Sequence, residues 1–188
     1  LKELANVGGG HASGVLSQLL NKKVQIGVPD INVIMLHEKT ETDKKLIAVY
    51  AEVYSEDLEG NLVVTIPWDS SIKLRDAIQK DYVHPDGALT KQDEELFMEI
   101  GRSVFRSYAQ ALNNFLSLDI KYGAAHFVFG QMSAIVDMLL ADTAKYGLII
   151  STDFRVEKTD IHGEFEISFV PNEIEHLLVK IKERFGLG

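Results

Sequence analysis

The fold of this chain is decided near its start by the stretch Glu3-Leu4-Ala5-Asn6-Val7-Gly8-Gly9-Gly10-His11. Glu3 and Asn6 are three residues apart, so on a helix they share one face. The apolar residues at helical spacing fall on the opposite face, which should pack inward: Leu1, Leu4, Ala5, Gly8, Ala12, Val15, Leu16 and Leu19. We therefore predict a helix that ends near Leu20 and presents a carboxylate and an amide outward.

Three consecutive glycines are unusual inside a helix, because each costs about 1 kcal/mol relative to alanine. We interpret Gly8-Gly9-Gly10 as a bare backbone surface that lets another molecule approach Glu3 and Asn6 closely. The outward face continues with small residues, namely Gly10, Ser13 and Ser17.

Short extended segments and amphipathic helices follow along the chain. We predict strands 24–28 and 31–37, a hairpin of strands 46–54 and 62–66, and helices 71–80, 91–116, 130–143 and 172–184. Thr90 caps the second of these helices, with Asp93 three residues on completing a variant capping box. The helix at 130–143 has no counterpart earlier in the chain and should turn Ile135, Met138 and Leu139 inward.

The order of the elements repeats, which points to a duplication. Glu3-Leu4-Ala5-Asn6 aligns with Glu99-Ile100-Gly101-Arg102, and Gly60 aligns with Gly163. One half has too few strands to bury both faces of a sheet, so the halves 1–84 and 90–188 should share one core. We predict a single α+β domain over 1–188 with a pseudo-two-fold axis and two long helices side by side presenting the sites.

Composition excludes several function classes. A net charge of -9 argues against nucleic acid and against an anionic membrane, since both require a basic surface. With no cysteine the chain has no disulfide and no thiolate metal site. We find no signal peptide and no bilayer-spanning run, and expect a cytoplasmic protein. Because Leu1 is not an initiator methionine, we expect that further residues precede it.

The run from Glu3 to Pro29 resembles the CheC, CheX and FliY phosphatases of prokaryotic chemotaxis. The resemblance is carried by Glu-x-x-Asn with Gly and Ala following, by Leu16-Ser17-Gln18-Leu19-Leu20-Asn21-Lys22-Lys23-Val24, and by Val28-Pro29. The duplication and the closing amphipathic helix add to it. The resemblance implies a CheC-like fold and hydrolysis of the aspartyl phosphate of a CheY-type response regulator.

The resemblance also implies a role for each site residue. Asn6 would orient the attacking water, and Glu3 would pair with the regulator's active-site lysine. Magnesium would belong to the regulator, and the chain would need no cofactor of its own. The receptor deamidase CheD is a possible second partner, although Gly130-Gln131-Met132-Ser133-Ala134-Ile135 lacks the acidic residue that family members place before this sequence.

Two alternatives stay open. In the second copy, Arg102 stands where the amide would be, and we interpret Glu99 and Arg102 as a degenerate site in preference to a modified active site. Arg106 adds positive charge that could instead dock an acidic partner, and Val104 and Phe105 make close approach less favourable there. The second alternative for the whole protein is a non-catalytic module that sequesters a regulator or CheD.

Overall fold

The protein is described from a computed structural model. It covers residues 2–35, 44–56, 59–79, 89–116, 119–135, 146–169, 179 and 182, with the backbone alone described at 4, 33–35, 116, 146–148 and 169. The helices are α1 (Lys2–Leu20), α2 (Trp68–Ile78) and α3 (Lys91–Leu116). The strands are β1 (Val24–Ile26), β2 (Asp30–Met35), β3 (Lys45–Tyr54), β4 (Glu59–Pro67), β5 (Lys121–Tyr122), β6 (His126–Gln131), β7 (Tyr146–Val156) and β8 (His162–Phe169).

The described strands form one antiparallel eight-stranded sheet in the order β1-β7-β8-β4-β3-β5. At one edge β2 also pairs with β7, and at the other edge β6 also pairs with β3. The predicted hairpin is confirmed: β3 and β4 pair from Leu46 opposite Pro67 to Tyr54 opposite Glu59. The chain is therefore an α+β protein, as predicted.

One face of the sheet packs against the long helices. Its inward residues alternate along each strand, as the period of two requires, and include Ile47, Val49, Ala51, Leu62, Val64, Ile150, Phe154 and Ile167. They meet apolar residues of α1 and α3, among them Ala5, Ala12, Leu16, Phe97, Ile100, Val104, Tyr108 and Leu112. A smaller cluster of Leu46, Ala48, Val63 and Ile135 lies on the other face. The long helices thus occupy one side of the sheet.

The start of α3 is fixed by the predicted capping box. The backbone N–H and the hydroxyl of Thr90 donate to Asp93 Oδ2 at 2.7 and 2.9 Å, and the Asp93 N–H donates to Thr90 Oγ1 at 3.3 Å. Asp93 is fully buried, and Arg75 of α2 lies 3.9 Å away from it, also buried. This ion pair joins α2 to the first turn of α3.

Some predicted bounds are corrected. The second helix begins at Trp68 rather than residue 71, because Pro67 has an extended backbone that ends β4 immediately before it. Gly130 and Gln131 lie in β6 opposite β3 rather than in a helix, which begins at residue 132. Met138 and Leu139 lie outside the described residues, as does most of the predicted helix 172–184, of which residues 179 and 182 are helical.

Candidate functional site

The first turn of α1 presents the predicted pair to solvent. Glu3 and Asn6 are exposed, whereas Ala5 between them is completely buried. Glu3 stands in the first turn, where the unpaired N–H groups of the helix favour a negative charge. The structure therefore places a carboxylate and an amide one helical turn apart on an outer surface.

Gly8 and Gly9, which follow this turn, pack against other parts of the protein, whereas we predicted a bare outer surface. Gly8 and Gly9 are buried, since α1 lies against α3 and β7 at these residues. A Cβ atom at Gly8 would overlap with the ring atoms Cε1, Cζ and Cδ1 of Tyr108, and one at Gly9 would lie 3.4 Å from Thr152 Cγ2. Only Gly10 faces open space. The expected bare surface is wrong for two of the three glycines and reduces to Gly10.

In the second half of α1, Ala12 and Leu16 are buried as predicted, but Ser13 and Leu19 depart from the predicted faces. Ser13 is buried, at 8% exposure, and its hydroxyl donates to the carbonyl of Gly10 at 2.9 Å. The Ser17 hydroxyl donates to the Ser13 carbonyl and accepts the N–H of Val24, so it ties α1 to β1. Leu19, expected inward, is 47% exposed. The outward face therefore excludes Ser13 and continues beyond Gly10 at Gly14 and Gln18, which are exposed.

The turn of α3 that we predicted as a second copy carries an internal ion pair. Arg102 donates from Nε at 3.3 Å and from Nη2 at 3.1 Å to Glu99 Oε2. Its Nη2 also lies 3.9 Å from Glu95 Oε2. Gly101 is buried against Val49, so this glycine likewise serves internal packing. The Glu99 carboxylate is thus already neutralised by the same chain.

Val104 and Phe105 do not crowd this surface. Both are 1% exposed and belong to the core, because they point toward the sheet. The expectation that they hinder approach to the second copy is wrong. Where α1 has the exposed Asn6, the aligned position of α3 has the partly exposed Arg102.

Arg106 lies one turn further along α3 and is exposed. A hydrogen bond with the side chain of Tyr122 on β5 raises the pKa of Arg106, and the charge of Glu99 acts in the same direction. An open groove of about 480 Å³ runs between the two long helices here, lined by Val15, Gln18, Leu19, Ser103, Arg106, Ser107 and Gln110. The surface therefore combines one fixed cation with an exposed leucine.

Two carboxylates on the opposite face of the sheet were not anticipated. Glu164 and Glu166 alternate with buried Phe165 along β8, so both point away from the long helices. Burial and the neighbouring charge of Glu164 raise the pKa of Glu166 to about 7, although the Thr65 hydroxyl donates to Glu166 Oε1 at 3.0 Å. Burial and Asp153 raise the pKa of Glu164. The alternation is visible in the sequence, but the burial is not.

Neither a metal centre nor a membrane span is found in the part of the chain that the structure describes. Among those residues, no three His, Cys, Asp or Glu side chains are placed to hold a metal ion. No described helix combines the length and apolar character needed to cross a bilayer.

Comparison with known proteins agrees with this geometry. The model of the CheC-like family matches residues 1–33, which contain the Glu3 and Asn6 turn. The chain is 21% identical over 161 residues to the CheY-P phosphatase CheC of Bacillus subtilis, covering 81% of this chain and 77% of that protein. The chain is similar to the CheC, CheX and FliY proteins in sequence over its N-terminal segment and in fold over most of its length. The resemblance in the sequence is thereby confirmed.

Solved structures of this family have the same fold. Thermotoga maritima FliY superposes with a TM-score of 0.79 at 15% identity, covering 97% of this chain and 94% of FliY. A complex of CheX with CheY, BeF3 and magnesium from Borrelia burgdorferi gives a TM-score of 0.62 at 12% identity, covering 90% of this chain and 99% of that one. The CheC-like architecture thus extends over nearly the whole chain.

Proposed function

We propose that this protein hydrolyses the aspartyl phosphate of a CheY-type response regulator in chemotaxis signalling. The observation that carries the proposal is the exposed pair Glu3 and Asn6 in the first turns of α1, within the segment matched by the family. The relative in Bacillus subtilis is named as a CheY-P phosphatase, and the related CheX is known in complex with CheY. We propose a cytoplasmic location as part of the same function.

The proposed chemistry needs no nucleophile from this protein. A water oxygen bonds to phosphorus while the bond from phosphorus to the aspartyl oxygen breaks, and inorganic phosphate leaves. The Asn6 amide has both a donor and an acceptor, so it can orient that water in line with the leaving oxygen. The regulator's magnesium ion would stabilise the charge on the phosphoryl oxygens.

Glu3 would contribute binding rather than chemistry. Its carboxylate is exposed and has no ion pair with any described residue, so it is available to a lysine of the regulator. In the second copy, Arg102 takes the place of that lysine on Glu99. Arginine also has no acceptor with which to hold a water. We therefore propose one working site, at Glu3 and Asn6, and a degenerate second one.

We also propose that the chain arose by duplication, with halves related by a pseudo-two-fold axis. The strand pairing supports this interpretation. If β1 to β4 are exchanged in order with β5 to β8, every observed pairing becomes another observed pairing, and the β4 and β8 pair maps onto itself. The two long helices then exchange as well, which makes Glu99 and Arg102 the counterparts of Glu3 and Asn6.

The test is release of phosphate from a phosphorylated CheY-type regulator in magnesium buffer, with and without this protein. We expect catalytic amounts to accelerate the decay and Asn6→Ala to abolish the acceleration. Asn114→Ala is the matched control, because Asn114 is an exposed asparagine on α3 outside the proposed site. Decay that is unchanged by stoichiometric protein, across the regulators of its own source, would refute the proposal.

A non-catalytic binding module is the second candidate. The groove between α1 and α3 favours it, since exposed Leu19 and Arg106 offer an apolar and a cationic contact without any reactive group. Such a module would sequester a regulator or CheD. It predicts a stable complex whose bound regulator loses phosphate no faster than the free one. Measuring regulator binding and phosphate decay in the same samples distinguishes the two candidates.

A further inference from the structure

The turn of α1 that follows Asn6 packs against the aromatic ring of Tyr108. Tyr108 of α3 is 1% exposed, and its Cε1 and Cζ atoms are the nearest neighbours of the position that a Cβ at Gly8 would occupy. Any side chain at Gly8 would have to displace the ring or the helix. The approach of α1 to α3 is therefore set by this glycine and by the phenol end of this tyrosine.

The next residue makes a second contact, with a different element. Gly9 lies against Thr152 of β7, which is also 1% exposed. Gly8 thus contacts the neighbouring helix α3, and the next residue, Gly9, contacts the sheet. By contrast, Gly10 and Gly14 have open space where a Cβ would be. Among the glycines of α1, only Gly8 and Gly9, in the turn that follows Asn6, have neighbours at the Cβ position.

Both supporting side chains hold an unpaired hydroxyl. The Tyr108 hydroxyl and the Thr152 hydroxyl are buried without a hydrogen-bond partner in the described part of the chain. Burial raises the pKa of Tyr108, so the phenol is neutral. An unpaired buried hydroxyl lowers stability, so stability alone does not account for these residues. The shapes of Tyr108 and Thr152 account for their presence, because these side chains fill the space next to the glycine backbone.

We propose that Tyr108 is a positioning residue for the dephosphorylation reaction: packed under Gly8, it sets where Asn6 stands relative to the bound regulator. The inference rests on the proposed function. Helical hydrogen bonds link Asn6 to residues one turn ahead, so a displacement at Gly8 is passed to the Asn6 backbone. Orientation of a water is sensitive to small displacements, whereas an exposed ion pair at Glu3 tolerates them.

The experiment removes side-chain volume at Tyr108 and adds side-chain volume at Gly8. Tyr108→Leu removes the ring end, and Gly8→Ala adds a methyl group that the ring cannot accommodate. We expect each change to lower kcat for the phosphorylated regulator by roughly tenfold or more, with KM within about twofold. In the double variant the added methyl meets the vacated space, so kcat should recover. Tyr108→Phe keeps the ring and should retain kcat within about twofold.

Gly14→Ala is the matched control, because it is the same substitution in the same helix without a contact. It should leave kcat unchanged. Wild-type kcat in both single variants, or a double variant no better than the worse single one, would overturn the inference. If Tyr108→Leu does not fold, Tyr108→Met replaces it in the same scheme.

A second readout separates failure of this inference from failure of the proposed function. The side-chain amide resonance of Asn6 in the free protein should shift in Gly8→Ala and return toward the wild-type position in the double variant. If the wild-type protein shows no turnover, the proposed function fails, and this resonance still tests whether Tyr108 positions Asn6. An unshifted resonance in Gly8→Ala would overturn the positioning role.

Discussion

Arg102 holds its guanidinium on the carboxylate of Glu99, with Nε and Nη2 donating to the same oxygen at 3.3 and 3.1 Å. An ion pair this exposed contributes less than about 1 kcal/mol to stability. Arg102→Ala should therefore leave both the fold and the turnover nearly unchanged. A loss of turnover as large as that of Asn6→Ala would show that Arg102 belongs to a working site. Steady-state phosphate release decides between these outcomes.

The second copy can also be tested by restoring its amide. Asn6→Ala combined with Arg102→Asn recreates the Glu-x-x-Asn spacing on α3. Because Val104 and Phe105 point into the core, they do not obstruct the restored site, and we expect measurable turnover above that of Asn6→Ala alone. Asn6→Ala with Arg102→Ala is the control. Equal rates for the two double variants would contradict the equivalence of the copies.

Within the first site, substitutions of Asn6 and of Glu3 should affect different constants, namely kcat and the affinity for the regulator. Asn6→Ala should lower kcat by about a hundredfold or more while the complex still forms, because the amide acts on the water. Glu3→Ala should weaken the complex by roughly fivefold, as loss of one exposed ion pair does, with kcat at saturation retained. Titration of regulator in stopped-flow decay gives both constants. Normal turnover at saturation in Asn6→Ala would refute the assigned roles.

Gly10 and Gly14 are both exposed glycines of α1 with open space around them, and Gly10 lies nearer to Asn6. Gly10→Ala and Gly14→Ala should each raise the free energy of unfolding by about 0.5–1 kcal/mol, since alanine favours the helix and neither site has a neighbour. If the bare backbone at Gly10 permits close approach, Gly10→Ala alone should weaken regulator binding. Chemical denaturation and a binding titration measure the two effects. Equal affinity in both variants would remove Gly10 from the interface.

Glu166 should make stability depend on pH. Its pKa is about 7 in the folded protein, above the usual value, so the folded state holds the proton more tightly than the unfolded one. The resulting stabilisation is fully present below about pH 4.5 and is lost as the pH rises through 7. Relative to Glu166→Gln, the wild type should lose on the order of 2–3 kcal/mol between pH 4.5 and 8.

Denaturation curves at several pH values measure this difference. Glu52→Gln is the control, because Glu52 is an exposed carboxylate on β3. A difference between wild type and Glu166→Gln that does not change with pH would show that the pKa of Glu166 is the same in the folded and the unfolded protein.

Local features of this fold were predictable from the sequence. The capping box at Thr90 and Asp93, the β3–β4 hairpin and the outward Glu3 and Asn6 depend on residues close together in the chain. The purpose of Gly8 and Gly9 was not predictable, because it depends on which residues of α3 and β7 lie against them. Gly130 was misassigned for the same reason: its place in β6 is set by pairing with Leu46 in the other half of the chain.

The strand pairing has a consequence for how the motif-bearing helix is supported. β1 and β2 pair with β7, and β5 and β6 pair with β3, so each half of the chain completes the sheet of the other. The strands of the two halves are interleaved in one sheet, so the halves are not separate units lying side by side. Gly8 and Gly9 of α1 rest on Tyr108 and Thr152, which both belong to the later half. A fragment of residues 1–84 would therefore contain the Glu3 and Asn6 motif but lack the surface that holds it in place.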